Sequence, residues 1–152
     1  MLQHSPFHEV IQRSGFREAG IIGDLDACEM TPYLRALGLK VTQTLGREES
    51  SGALKDPRFM QLPREAHEVL VLGAEFSDDA QYNLDSLNRI TAICLQGLKP
   101  RAGLCILARR EKEPSIELLS MMRQNGFRAL TVLTPPETQG DVPHFYQVYQ
   151  RV

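Results

Sequence analysis

The strongest constraint on the fold is a continuous apolar run, Val69 to Leu72, with Leu84, Leu87, Ile90, Cys94 and Leu98 at helical spacing behind it. A second apolar run, Leu104 to Ala108, follows. Runs without polar alternate positions suit strands covered on both faces, and such strands are usually parallel and joined through helices. This stretch therefore predicts strand, helix, strand in one parallel sheet.

The flanking segments extend the alternation. Ser5 to Ser14 predicts a leading helix, capped by Ser5, opened by Pro6 and stopped by Gly15. Ala19 to Gly23 is a short apolar strand. Asp26 to Leu37 has helical character, with Glu29 placed as in a capping box and Gly38 as the stop. Pro32 leaves two readings, a kink after the first turn or a later start capped by Thr31. Leu39 to Leu45 alternates as a second strand, Gly46 to Pro57 reads as an exposed loop, and Arg58 to Leu62 as a weak strand.

Beyond the Pro100 and Gly103 turn, a helix starting near Pro114 is expected to bury Ile116, Leu119 and Met122 and to end at Asn125 and Gly126. Arg128 to Leu133 and Phe145 to Val152 are the closing strands, joined by the polar loop Pro135 to Pro143. The whole predicts an α/β, Rossmann-like, mostly parallel sheet with helices on both faces and a C-terminal antiparallel hairpin, in one domain over residues 1–152. Phe145, Tyr146, Val148 and Tyr149 make the last strand aromatic, and an exposed edge there would pair with a protein partner or a second copy of the chain.

Charge narrows the function. A chain of 152 residues with net charge -2 lacks the basic excess that phosphate backbones select, so nucleic acid is not an expected partner. No apolar run approaches the roughly 18 residues of a membrane span, and no signal peptide is recognisable at the start, which predicts a cytoplasmic protein. Cys28, Cys94 and Cys105 show no CxxC spacing and read as reduced, mostly buried thiols.

The order of elements resembles the class I S-adenosylmethionine-dependent methyltransferase fold, whose sheet ends in an antiparallel hairpin. The resemblance rests on Gly23 to Val41, on Gln61, Leu62 and Pro63 ahead of Glu68 to Val71, on Leu98, Lys99, Pro100 and Gly103 ahead of Leu104 to Ala108, and on Asn125, Gly126 and Phe127. It implies S-adenosylmethionine as cofactor, held at a glycine-rich loop close to GxGxG where the backbone approaches the ligand without Cβ atoms. The matching stretch is Gly23, Asp24, Leu25, Asp26 and Ala27, so only the first glycine is kept. Leu25 would then intrude on the cofactor, and Asp24 and Asp26 would set negative charge near its carboxylate.

The family's ribose-binding acid, expected after the second strand, is replaced by Thr44, Leu45, Gly46 and Arg47, with Glu48 and Glu49 following. By resemblance the cofactor-site candidates are Gly23, Asp24, Asp26, Glu48 and Glu75. For Asp24 and Asp26 a helix-start role, with Asp26 as cap, is preferred over a polar or metal contact, and for Glu75, Asp78 and Asp79 a solvated loop before a helix is preferred over orienting a substrate or divalent cation. His67 and His144 have the chemistry of an acid or base but no nucleophile beside them in sequence. His4 and His8 share a helical spacing without a third ligand, so no metal site is expected. Arg101, Arg109, Arg110, Lys112 and Arg123 read as an anion site or as a mixed-charge surface with Glu111, Glu113 and Glu117.

Two functional expectations follow. One is a methyltransferase-like domain that has lost normal cofactor binding and acts as a binding, scaffolding or regulatory partner. The other is an active methyltransferase with an altered cofactor pose, in which Glu75 or His67 takes a polar role. An unrelated nucleotide-binding domain using the Gly23 loop is a third reading.

Overall fold

The computed structural model describes residues 6–25, 28–46, 62–73, 84–134 and 145–152. Its strands are β1 (Glu18–Ile22), β2 (Lys40–Leu45), β3 (Val69–Leu72), β4 (Leu104–Arg109), β5 (Phe127–Leu133) and β6 (Phe145–Arg151). The helices are α1 (Pro6–Ser14), α2 (Met30–Ala36), α3 (Leu84–Gly97) and α4 (Ile116–Gln124). The strands form one sheet in the order β2-β1-β3-β4-β6-β5. Pairings from β2 through β4 are parallel, and β6 runs antiparallel to β4 and β5. This is the predicted Rossmann-like sheet with its C-terminal antiparallel hairpin.

Successive strand residues point to opposite faces, and here both faces are covered. Val69, Val71, Leu104 and Ile106 share a core with Phe7 and Ile11 of α1 and Met30 and Leu34 of α2. Leu70, Leu72, Cys105 and Leu107 pack with Leu87, Ile90 and Cys94 of α3 and Leu118 and Met122 of α4. All four residues of β3 are fully buried, each worth about 1.5–3 kcal/mol against exposure. That accounts for the absence of polar alternation in the run. The cysteines are buried and unbridged.

Four expectations are corrected. Helix α2 starts at Met30 instead of Asp26, with Glu29 in the cap position but making no side-chain cap. Pro32 thereby falls in the first turn, where a missing N–H breaks no helical bond. The Thr31 hydroxyl does not cap the helix but donates to the Leu25 carbonyl at 3.2 Å. The predicted stop at Gly38 is present: with φ +90°, it donates to Arg35 O at 2.9 Å while Leu39 N reaches Leu34 O at 3.1 Å.

The second correction concerns α4. It buries Leu118 and Met122, whereas Ile116 is 82% and Leu119 37% exposed. The helix is capped by Ser115, whose hydroxyl accepts from Leu118 N at 3.1 Å, and Leu118 and Met122, four residues apart, form the stripe that packs on the sheet.

The third correction is the place of the closing strand. β6 lies between β4 and β5, so Tyr146 and Tyr149 are buried and the edge is β5. A glutamine pattern that looks half-exposed in sequence is satisfied internally. Gln147 donates to Glu111 O at 3.1 Å and accepts from the Tyr149 hydroxyl at 2.9 Å, and Gln150 accepts from Arg128 Nη2 at 2.7 Å. The fourth correction, the place of Leu25, belongs to the site below. Of the weak strand predicted at Arg58 to Leu62, only Leu62 is described, and it is half-buried beside Gly97.

Candidate functional site

Ligands of open parallel sheets sit outside the carboxyl ends of the strands. Here that rim is formed by the ends of β1, β2, β3 and β4. Ile22 O accepts from Gly73 N at 3.1 Å, and Gly23 N donates to Leu45 O at 2.9 Å, so the strand ends stay tied beyond the ladder. Gly23 has φ +124°, a conformation that side chains resist. Gly23 and Gly73 are both buried, and they put two positions without side chains on neighbouring strands at this rim.

From Gly23 the chain turns toward α2. Asp24 is exposed. Leu25 is half-buried and packs against the core shared with α1 and α2, which corrects the expectation that its side chain fills the cofactor space. Its carbonyl accepts from Cys28 N at 3.4 Å and from the Thr31 hydroxyl. Glu29 then accepts from the buried Tyr146 hydroxyl at 3.0 Å, tying the start of α2 to β6 across the sheet. The loop is thus held down by an apolar anchor, two bonds to one carbonyl and one carboxylate contact.

The described residues fit S-adenosylmethionine only in part. Gly23 has the bare, strained backbone that a cofactor cradle uses, but the place of the second glycine is taken by Leu25, which is committed to the core. Asp24 adds negative charge beside it. Among the candidates, Gly23 and Asp24 lie together at this rim. Asp26, Glu48 and Glu75 fall outside the described residues, as do Glu49, Asp78, Asp79, His4 and His144.

His67 is at the opposite rim, immediately before β3, where it bridges to Leu98. Burial lowers its pKa, against the raising influence of Glu18, and its Nε2 has no hydrogen-bond partner among the described residues. It cannot act on a ligand in the carboxyl-end crevice. Next to it Glu68, which the sequence reading did not single out, accepts from Arg17 N at 2.8 Å, Glu18 N at 3.0 Å and Lys99 Nζ at 3.2 Å. Burial alone would raise the Glu68 pKa, but those donors and the Lys99 charge hold it below the ordinary carboxylate value. Its position one residue before an apolar strand was the only signal in the sequence.

The basic cluster is dispersed. Arg109 is buried at the end of β4, while Arg101, Arg110, Lys112 and Arg123 are exposed. Tyr149 has its pKa raised by burial and by Cys105, with Arg109 opposing. Cys94 is hydrogen-bonded to Cys105, which with burial pushes its thiol pKa well up and makes it a poor nucleophile. Among the described residues no group of three or more His, Cys, Asp or Glu could hold a metal ion. No described helix is long and apolar enough to cross a membrane.

No family model matches the chain, and no curated protein matches it either. Solved structures do. A Burkholderia thailandensis 1,6-didemethyltoxoflavin-N1-methyltransferase with bound 1,6-didemethyltoxoflavin and S-adenosylhomocysteine aligns over 96% of this chain and 76% of its own, with TM-score 0.59 and 11% identity. The magnesium protoporphyrin IX methyltransferase of Synechocystis PCC 6803, with bound S-adenosylmethionine, aligns over 96% and 76%, with TM-score 0.56 and 10% identity. The N-methyltransferase NodS of Bradyrhizobium japonicum aligns over 98% of both chains, with TM-score 0.53 and 9% identity. At such identities the likeness establishes architecture alone. The chain has the class I S-adenosylmethionine-dependent methyltransferase fold.

Proposed function

We propose that this is a methyltransferase-like domain that has lost the usual hold on S-adenosylmethionine and acts by binding a partner, in a scaffolding or regulatory role. The observation that carries the reading is Leu25: it stands where the cofactor loop needs a second glycine, and its packing anchors the loop to the core. A loop so anchored resists moving up to a ligand, and the Asp24 charge disfavours a ligand carboxylate nearby. A cytoplasmic setting fits the three buried, unbridged cysteines.

The second reading, an active methyltransferase with an altered cofactor pose, draws on Gly23 and Gly73, which leave the rim free of side chains on two adjacent strands. The ligands held by the Burkholderia and Synechocystis neighbours define the test. Calorimetric titration with S-adenosylmethionine and S-adenosylhomocysteine, together with thermal shift, separates the readings, because a ligand of the native state must raise the melting temperature. The partner-binding reading expects no heat and no shift at millimolar ligand. Micromolar binding of either compound overturns it and supports the enzyme.

A further inference from the structure

Asn125–Gly126 is the one Asn-Gly pair in the sequence; Asn83 and Asn88 are followed by Leu84 and Arg89. Such a pair is chemically exposed, because a following glycine has no side chain to keep its backbone nitrogen from the asparagine amide carbon. In the fold the pair closes α4. Asn125 is the C-cap, with φ -81° and ψ 1°, and Gly126 follows at φ +90°. The half-buried Asn125 amide turns both of its N–H groups on α3: Nδ2 donates to Asn88 Oδ1 at 2.8 Å and to Thr91 Oγ1 at 3.1 Å. Thr91 is buried and its own hydroxyl donates to Leu87 O at 2.8 Å, which leaves its oxygen as the acceptor for Asn125.

Both reacting groups are held in place. Cyclisation needs the Gly126 nitrogen to attack Asn125 Cγ, yet its N–H donates to Arg123 O at 3.0 Å, and a ψ of 1° turns that nitrogen away from the Asn125 side chain. Gly126 O accepts from Val152 N at 3.0 Å, which pins the turn to the chain just after β6. Opening of this one turn frees nitrogen and amide together. The nitrogen then gives its proton to hydroxide and bonds to Cγ, the Cγ–Nδ2 bond breaks, and ammonia leaves. Water opens the resulting cyclic imide at either carbonyl, giving aspartate or isoaspartate. One water is consumed, one ammonia is released, and no oxidant or reductant takes part.

We infer that Asn125–Gly126 is a deamidation site latched by Asn88 and Thr91, and that its conversion releases the end of α4 from α3. A carboxylate only accepts hydrogen bonds, so the contacts to Asn88 Oδ1 and Thr91 Oγ1 are lost together. The new charge also stands at the C-terminus of α4, where the helix dipole disfavours an anion. The inference goes beyond the proposed function and stands whichever reading of the cofactor site holds.

Peptide mapping by mass spectrometry, on the full chain held at mildly alkaline pH, tests it. Conversion is expected at Asn125 ahead of Asn83 and Asn88, and about tenfold slower in the folded chain than in denaturing urea, because the reaction waits on local opening. Asn88→Ala and Thr91→Val each remove one acceptor of the latch; each is expected to speed conversion severalfold in the folded chain and to leave the rate in urea unchanged. As a second measurement, Asn125→Asp, which carries one of the products, should lower the melting temperature by about 3 °C and speed hydrogen exchange at residues 121–126 more than in β3. Equal rates in the folded chain and in urea, latch variants that convert no faster than the parent, or an Asn125→Asp protein as stable as the parent would overturn the inference.

Discussion

At the amino ends of the strands, side chains close the sheet; at the carboxyl ends of β1 and β3, among the described residues, buried glycines leave bare backbone. Glu68 collects Arg17 N–H, Glu18 N–H and Lys99 at one end of β1, β3 and β4. Arg151 donates to Leu95 O at 2.8 Å and Leu98 O at 2.5 Å, satisfying carbonyls at the C-terminus of α3, where a cation also meets the helix dipole favourably. At the other end Gly23 and Gly73 carry no side chain, and the chain leaving β1 is held by contacts to Leu25, Thr31 and Tyr146. Rigidity at one rim and bare backbone at the other is the arrangement a ligand crevice needs. The peculiarity of this chain is that the loop at the open rim is itself tied down.

The largest expected effect tests the closed rim. A Cβ on Gly103 would lie 2.7 Å from Leu98 Cβ and 2.8 Å from Lys99 O, and the backbone oxygen cannot swing away. Gly103→Ala is expected to cost about 2–3 kcal/mol in urea unfolding. A cost near zero would mean that the rim yields easily and the contrast between the two ends is weak.

Leu25→Gly probes the open rim. Loss of a half-buried leucine is expected to cost about 1–2 kcal/mol and to release the loop. If the anchored loop is the obstacle, S-adenosylhomocysteine affinity rises in calorimetry; unchanged affinity would shift the defect to Asp24.

Tyr146→Phe removes the hydroxyl bond to Glu29 with little change in shape, at an expected cost of about 1 kcal/mol. Hydrogen exchange should speed up at residues 28–31 more than in β6. Uniform acceleration would show that the contact supports the whole sheet instead of the loop.

The smallest effect is Glu68→Gln, about 0.5–1 kcal/mol at neutral pH. The Glu68 pKa is lowered in the folded protein, so its contribution is complete above the unfolded value and is lost as the pH falls through the folded one. The parent protein should therefore lose stability below about pH 4.3, and the variant should lose less over the same range. The lowered pKa of His67 has the same sign, with loss beginning below about pH 6.5 in both proteins. Parallel curves for the two proteins below pH 4.3 would remove Glu68 from the rim's account.

The site was less legible than the fold. Gly23 and Asp24 could be placed at the rim because a glycine after an apolar strand is a local signal. The contact between Tyr146 and Glu29 spans most of the chain and leaves no local trace. His67 looked eligible because its imidazole chemistry is visible in sequence, whereas the end of the strand on which it acts is not.

By itself the sequence determined the order of the described elements and the two-sided burial of the central strands: the runs Val69 to Leu72 and Leu104 to Ala108 have no polar alternate position that a solvent-facing sheet would demand, and Gly38 stops α2 where a left-handed residue is required. Only the tertiary structure decided that β6 enters between β4 and β5, that Leu118 and not Leu119 faces the sheet, and that Leu25 joins the core. Adjacent leucines suit either face of a helix, and an aromatic strand with interspersed glutamines suits either an edge or the interior. Which one holds depends on partners distant in sequence: the Glu111 carbonyl for Gln147, Arg128 for Gln150, and the core of α1 and α2 for Leu25.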